Sequence, residues 1–316
     1  YGRRDNKYKA RIKILVRALT AEGFKTQVDE EWAAIDQEQA AAPLSELRRL
    51  SAFFAPPAFA KFDDADALLG KQRLEDPAFN RWMKHNVSPH RAKGYAVVTL
   101  STKTVGTPPG DVSAEQMDAV AAWASAFGFD EIRISHEQNF VLPHIPQHQL
   151  YDLWQQAQSI GLGHFNAGLI SDMICCPGGD YCSLANAKSL PVAEAIQRRF
   201  ADYDFQHDLG ELDLNISGCM NACGHHHVGH IGILGVDKKG QEFYQISLGG
   251  HAGHSGEGPQ LGQIIGPSVP RAGVCDVIEK VLLIFLDLRF EGETFLSCFN
   301  RIGIQPFKDS IYAKAA

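Results

Sequence analysis

The chain has 316 residues, with 30 Lys and Arg against 37 Asp and Glu, for a formal net charge of −7. Hydrophobic residues make up 45% and charged residues 21%, enough apolar material to build substantial cores, so wholesale disorder is excluded. The length is that of about two ordinary domains. A mildly acidic chain has no global field to hold nucleic acid, and any anion site has to be built locally.

The N-terminal stretch places Arg3, Arg4, Lys7, Lys9, Arg11 and Lys13 before and among Ile12, Ile14, Leu15, Val16 and Leu19. Charges interleaved in this way do not make a signal peptide; they make an amphipathic helix, and the basic run reads as its solvated face. The chain opens at Tyr1 without an initiator Met, and this abrupt start reads as a piece of a longer protein. The longest apolar run, at residues 281–286, falls far short of a bilayer span. No membrane partner and no nucleic-acid partner is expected, and a cytoplasmic setting is the default.

Residues 1 to about 50 read as helices, and residues 51–94 are broken by Pro56, Pro57, Pro77 and Pro89. A strand is expected over 96–100 and a loop over 107–111. Ser113 with Gln116 has the form of a capping box that opens a helix to Phe127. Strands over 132–135 and 140–142 and a helix over 145–161 follow, with Gly161 and Gly163 at its end. Strand, helix, strand, strand, helix is the order of a ferredoxin-like α+β unit. A second, α/β unit starts near His164. Its expected elements are strands over 169–174, 212–216, 231–236 and 243–248, helices over 185–200 and 274–290, and a glycine-rich loop over 249–262. The expected domains are therefore 1–50, 51–163 and 164–316.

The seven cysteines carry the chemistry. Five of them, Cys175, Cys176, Cys182, Cys219 and Cys223, crowd a short central stretch, and Cys275 and Cys298 stand apart. A secreted disulfide framework would spread pairs through a smaller chain. Cys176-Pro-Gly-Gly-Asp-Tyr-Cys182 and Cys219-Met-Asn-Ala-Cys223 each offer two thiolates from one short stretch of backbone. Soft thiolates select zinc or iron–sulfur centres. Zinc knuckles favour a tighter pair, so the wider spacings favour a cluster, with zinc and four unrelated core cysteines as the alternatives. Cys175 should point to the other side of its strand from Cys176, and Cys275 and Cys298 read as buried apolar residues.

The run from Cys176 to Cys182 followed by Ser183-Leu184-Ala185, together with Ile216-Ser217-Gly218-Cys219-x-Asn221-x-Cys223-Gly224, resembles the sirohaem-dependent sulfite and nitrite reductases. The resemblance extends over essentially the whole chain. Residues 6–24, with Lys9-x-Arg11-x-Lys13, look like the helix that closes the first half of such enzymes, residues 133–139 like a strand and turn that reach the sirohaem edge, and residues 231–316 like the C-terminal run. It implies a ferredoxin-like half-domain followed by a sirohaem and [4Fe–4S]-binding α/β domain. Carried over by position, Cys176, Cys182, Cys219 and Cys223 would ligate the cluster, and Cys223 would be the thiolate shared with the sirohaem iron. Arg133, Gln138, Asn139 and Asn221 would be candidate sirohaem contacts.

The sequence departs from the family pattern at Met220, where a Pro is common, and at His225-His226-His227. These histidines are expected at the rim of the site, since four thiolates already complete a cluster. His251 and His254, in the glycine-rich loop, read as solvated. Members of the family are about twice as long, and the residues that bind and protonate the oxyanion lie mainly in the first half. This chain resembles the C-terminal half, so no catalytic residue is assigned in it, and alone it is not expected to be a competent catalyst.

The implied reaction is the six-electron reduction of sulfite to sulfide in sulfur assimilation, with nitrite to ammonia as the close alternative. The implied partners are the oxyanion, a ferredoxin or flavoprotein electron donor and the N-terminal half. From other classes, the cysteines could staple a zinc-binding structural module or carry a haem-free electron-transfer cluster.

Overall fold

The computed structural model describes residues 12–36, 40–41, 43–62, 65–253 and 258–312. Arg3, Arg4, Asn6, Lys7, Lys9, Arg11 and His254 lie outside the described residues. The chain divides into two units, Tyr1–Ala58 and Phe59–Ala316. The first carries helix α1 (Ile12–Ala34), interrupted at Thr20, and helix α2 (Leu44–Ala52), neither of which buries a side chain. Among the described residues, no helix is long and apolar enough to cross a membrane.

The second unit holds two sheets, each with its own core. The first group runs α3 (Asp66–Glu75), α4 (Pro77–Asn86), β1 (Val87–Pro89), β2 (Tyr95–Leu100), α5 (Ala114–Phe127), β3 (Arg133–Ile134), β4 (Phe140–Pro146) and α6 (Leu150–Ser159). Two of the prolines expected to break the chain here mark its elements. Pro77 opens α4, where its missing N–H costs nothing, and the Asp76 side chain caps that helix by accepting from the amides of Ala78 and Phe79 at 3.0 and 3.1 Å. Pro89 ends the edge strand β1. The expected capping box is formed, Ser113 and Gln116 each bonding the other's backbone.

The four strands pair antiparallel in the order β1-β2-β4-β3. Phe79, Trp82, Val98, Leu100, Val120, Leu142 and Leu153 are among the residues of the core beneath them. The helix expected over 145–161 starts later, at Leu150, because Ile145 and Pro146 extend the ladder opposite Ala96 and Tyr95. From there Leu150, Leu153, Trp154 and Ala157 recur at helical spacing and are buried.

The second group runs β5 (Ile174–Cys175), α7 (Leu190–Arg199), α8 (Tyr203–Leu209), β6 (Leu214–Ser217), β7 (Ile231–Lys238), β8 (Gln241–Leu248), β9 (Gln263–Ile264), β10 (Val269–Pro270), α9 (Val274–Leu288), α10 (Phe295–Ile302) and α11 (Gln305–Tyr312). The sheet order is β10-β8-β7-β6-β5, with β9 on β8. The pairs β5–β6 and β6–β7 are parallel and the others antiparallel.

Two expected elements are shorter than the sequence suggests, and in both the backbone is used elsewhere. The strand expected over 169–174 shrinks to Ile174–Cys175 because Leu169 and Asp172 donate into turns, to Asn166 O and Leu169 O. The helix expected over 185–200 starts at Leu190 because the amides of Asn186 and Ala187 both go to Gly218 O. Helix α9 lays Val274, Ile278, Val281, Leu282 and Phe285 on the core, where Phe295, Phe299 and Phe307 complete the packing.

Candidate metal centre

Strands β5 and β6 are parallel and in register, Cys175 opposite Ile216. The chain therefore leaves both strands at the same end, through Cys176 on one side and through Gly218 and Cys219 on the other. The carboxyl ends of parallel strands are where open α/β sheets place ligand sites. The first loop folds back through Cys182 N to Gly178 O (2.9 Å) and Ala185 N to Cys182 O (3.1 Å). The second curls through Ala222 N to Cys219 O (3.2 Å) and His225 N to Ala222 O (2.8 Å). Ala222 and His225 hold left-handed backbone, with φ of 58° and 54°.

The two loops are locked to each other. The amide of Gly218 donates to Cys176 Sγ at 3.1 Å, and the Ser189 hydroxyl lies 3.6 Å from the same sulfur. Glycine is required at two of the contacts. A Cβ on Gly218 would stand 2.7 Å from Gly178 Cα, and one on Gly224 would stand 1.9 Å from Ile216 O. Cys219 is buried, Cys176 and Cys182 are half-buried, and Cys223 is exposed. Tyr181, Leu184 and Met220, set among the cysteines, are exposed apolar side chains.

Among the described residues, no three His, Cys, Asp or Glu side chains are gathered as ligands of a single metal ion. Four thiols instead stand on two interlocked loops, with a backbone N–H already directed at one sulfur. That is the environment in which an iron–sulfur cluster is held and its potential tuned. His226, three residues beyond Cys223, is 2% exposed, and both its ring nitrogens lack a hydrogen-bond partner. Burial, then the neighbouring His227, pushes its pKa down to about 4, so the ring is neutral at pH 7. A buried imidazole left unpaired beside the cysteines is the feature that a bound group would satisfy. In their chemistry the residues fit an iron–sulfur cluster.

Beside this centre the two sheets of the second unit enclose a cavity of about 390 Å³, with Ser135, Glu137, Asn139, Asp172, Asn215 and His225 in its wall. Its floor is a buried polar network absent from the sequence reading. Lys103 is 2% exposed. Its ammonium has three donors, and three acceptors receive them: Glu137 O at 2.5 Å, Asn139 Oδ1 at 2.9 Å and Asp172 Oδ1 at 3.3 Å. Asp172 also accepts from Asn139 Nδ2 (2.9 Å) and Gly168 N (3.0 Å). Burial pushes the Lys103 pKa down and that of Asp172 up, and each charge opposes the other's shift. Lys103 follows a strand in the polar run from Ser101 to Thr104, and that polarity so close to a buried strand was the available signal.

The residues expected to face sirohaem each have a definite setting in the structure. Arg133 is exposed and paired with Glu131, its Nη2 2.6 Å from Oε1. Gln138 gives its amide to the backbone of Cys175 at 3.1 Å in both directions. Asn139 lies in the Lys103 network, also accepting from Thr102 N at 3.1 Å. Asn221 is exposed at the tip of the second cysteine loop. His225 and His227 are exposed, and His251, expected to be solvated, is buried, with its ring accepting from Gly253 N at 3.1 Å. Cys175, Cys275 and Cys298 are buried in the core of the second sheet.

Residues 98–160 match the nitrite/sulfite reductase ferredoxin-like half domain, and residues 167–315 the nitrite and sulphite reductase 4Fe-4S domain. Sulfite reductase (ferredoxin) 2 of Mycolicibacterium paratuberculosis is 33% identical over 203 residues, 60% of this chain and 36% of that protein. The chloroplastic ferredoxin–nitrite reductase of Betula pendula is 26% identical over 297 residues, 89% of this chain and 43% of that protein. The solved structure of Mycobacterium tuberculosis NirA superposes with a TM-score of 0.62 at 24% identity, over 97% of this chain and 50% of that one, and so shares the fold. The chain spans half or less of the length of these proteins. With both domain models matched in order, the chain belongs to the sirohaem-dependent nitrite and sulfite reductase family, whose cofactors are sirohaem and a [4Fe–4S] cluster.

Proposed function

We propose that this chain is the cluster-bearing C-terminal half of an assimilatory reductase that carries out the six-electron reduction of sulfite to sulfide. The observation that carries the reading is the pair of interlocked cysteine loops at the common end of β5 and β6, with Gly218 N–H on Cys176 Sγ. Cys176, Cys182, Cys219 and Cys223 hold the [4Fe–4S] cluster. Cys223 is the exposed member of the four, so it is the thiolate placed to reach beyond the protein surface and be shared with the sirohaem iron. When bound, the coupled pair would supply one-electron redox steps.

The chain's own residues do the positioning. The Gly218 amide neutralises part of the Cys176 thiolate charge, the packed glycines hold the two loops in contact, and the exposed Tyr181, Leu184 and Met220 give the macrocycle or the remainder of the protein an apolar rim. Residues 51–163 form the ferredoxin-like domain and residues 164–316 the cluster domain, while residues 1–50 close the preceding half. Substrate-binding and proton-donating groups come from that half, and the electron donor is a ferredoxin, the donor named for the relatives. Nitrite shares the same chemistry, and the relatives include enzymes named for each anion.

The test is an anaerobic visible spectrum with iron, acid-labile sulfide and zinc analysis, on this chain with and without the N-terminal half. The expected result is about four irons and four sulfides per chain, with sirohaem bands only when both halves are present. One zinc with no visible absorbance would overturn the reading. Steady-state turnover of sulfite against nitrite by the two-half protein then decides the preferred anion.

A further inference from the structure

Strand β5 is the edge of its sheet. In a strand, successive residues turn their N–H and C=O to opposite sides. Cys176 N donates to Ile216 O (3.1 Å), so that residue faces β6, and the N–H and C=O of Cys175 face the open side. Cys175 is 2% exposed, so water does not serve these groups, and an unpaired buried backbone pair is costly. The carboxamide of Gln138 serves both. Its Nε2 donates to Cys175 O and its Oε1 accepts from Cys175 N, each at 3.1 Å. A single side chain from the first sheet thus takes the place of the next strand.

Three further features hold that side chain in position. Gln138 has left-handed backbone, φ 64°, a conformation that disfavours residues other than Gly, Asn and Asp. It closes the tight turn in which its own N–H donates to Ser135 O (3.0 Å) and Ser135 N donates to Asn139 O (2.9 Å). The Thr102 hydroxyl donates to Gln138 O at 2.6 Å, and buried Lys103 ties down the adjoining Glu137 O at 2.5 Å. Gly110 leaves the space: a Cβ there would stand 3.2 Å from Gln138 Cβ.

We infer that Gln138 is a positioning residue for the metal centre, closing the open edge of β5 so that Cys176 is held with its sulfur under the Gly218 amide. This rests on the reading that Cys176 ligates a [4Fe–4S] cluster. A hydrogen bond to a cluster sulfur favours the more negative, reduced state, so its weakening lowers the reduction potential.

The test compares the holoprotein with its Gln138→Gly and Gln138→Asn variants. Glycine and asparagine both suit φ 64°, and neither reaches Cys175 with the full carboxamide, so the turn survives while the clamp is lost. Gln138→Met, which keeps the packing on Gly110 and loses both hydrogen bonds, guards against a variant that fails to fold. Amide hydrogen exchange over the peptide containing Cys175 is expected to rise about fivefold to tenfold, the factor of one hydrogen bond. The cluster's midpoint potential should fall and its reduced-state electron paramagnetic resonance signature should change. Faster exchange with an unchanged potential and signature would make Gln138 a structural brace and overturn the inference, as would no change in either. A wild-type protein that holds no iron would instead refute the cluster reading, and the exchange difference would still decide whether the clamp exists.

Discussion

Lys103 and Asp172 meet at 3.3 Å with side chains 0% and 4% exposed, and they join the end of the first sheet's central strand to the loop that leads into β5. A buried ion pair contributes little net stability over an apolar replacement, but removing one partner strands the other charge. Lys103→Met and Asp172→Leu are each expected to cost about 3–5 kcal/mol in urea unfolding. The double variant should lose clearly less than the sum, by at least ~1 kcal/mol. Strict additivity would show that the two groups do not act as a pair.

The glycines of the cysteine loops give a sharper expectation. A Cβ at position 224 would lie 1.9 Å from Ile216 O, and the obstructing atom is strand backbone, which cannot swing aside. Gly224→Ala should therefore displace the second loop from β6 and abolish cluster retention, measured as iron and sulfide per chain. Gly240→Ala is a useful control. Position 240, unlike 224, has positive φ, 81°, but it has open space where the Cβ would go, so the substitution should cost only about 1 kcal/mol of local strain and leave the iron content unchanged.

The order of strands and helices in the second unit was legible because alternation and helical spacing are local: the capping box at Ser113 and Gln116 and the apolar face of α9 are cases. What the sequence concealed was competition for backbone. Residues 185–189 have the composition of a helix start, yet the amides of Asn186 and Ala187 are bound to Gly218 O, across a parallel strand pair that no local pattern reveals. The cysteines pointed to a candidate centre because thiolate spacing is itself chemistry. Gln138 is a candidate cofactor contact by resemblance, and its partner in the structure, a backbone edge 37 residues away, leaves no mark in the sequence. Lys103 was marked only by the polar run from Ser101 to Thr104, because its acceptors lie on other elements.

A pH dependence follows from His85 and His207, whose rings meet with Nε2 and Nδ1 2.9 Å apart. Burial, then His207 and Lys84, push the His85 pKa down to about 4, and burial also lowers His207. With folded-state values below those of the unfolded chain, the unfolded state binds more protons between about pH 6.5 and 4. Stability from these groups is present in full above the unfolded value and is lost as pH falls through that window. The slope for each histidine is at most about 1.4 kcal/mol per pH unit. His85→Gln should flatten this part of the curve of unfolding midpoint against pH; an unaltered slope would assign the acid sensitivity elsewhere.

Adjacent Cys175 and Cys176 separate core from centre within a single peptide. Strand alternation sends the Cys175 thiol into the core of the second sheet, where it donates to Cys176 O at 3.3 Å. Burial pushes its pKa far above the usual thiol range, so it stays a neutral thiol, and a cluster ligand must be a thiolate. Cys176, half-buried and already under the Gly218 amide, is the member proposed above as a cluster ligand. Cys175→Ala and Cys298→Ala are therefore expected to keep full iron and sulfide and lose about 1–2 kcal/mol of packing. Cys176→Ala, Cys182→Ala and Cys219→Ala should lose the cluster, with the visible absorbance falling in step with the iron. Loss of iron from Cys175→Ala with retention in Cys176→Ala would reverse the assignment and require the strand to present its other face to the metal.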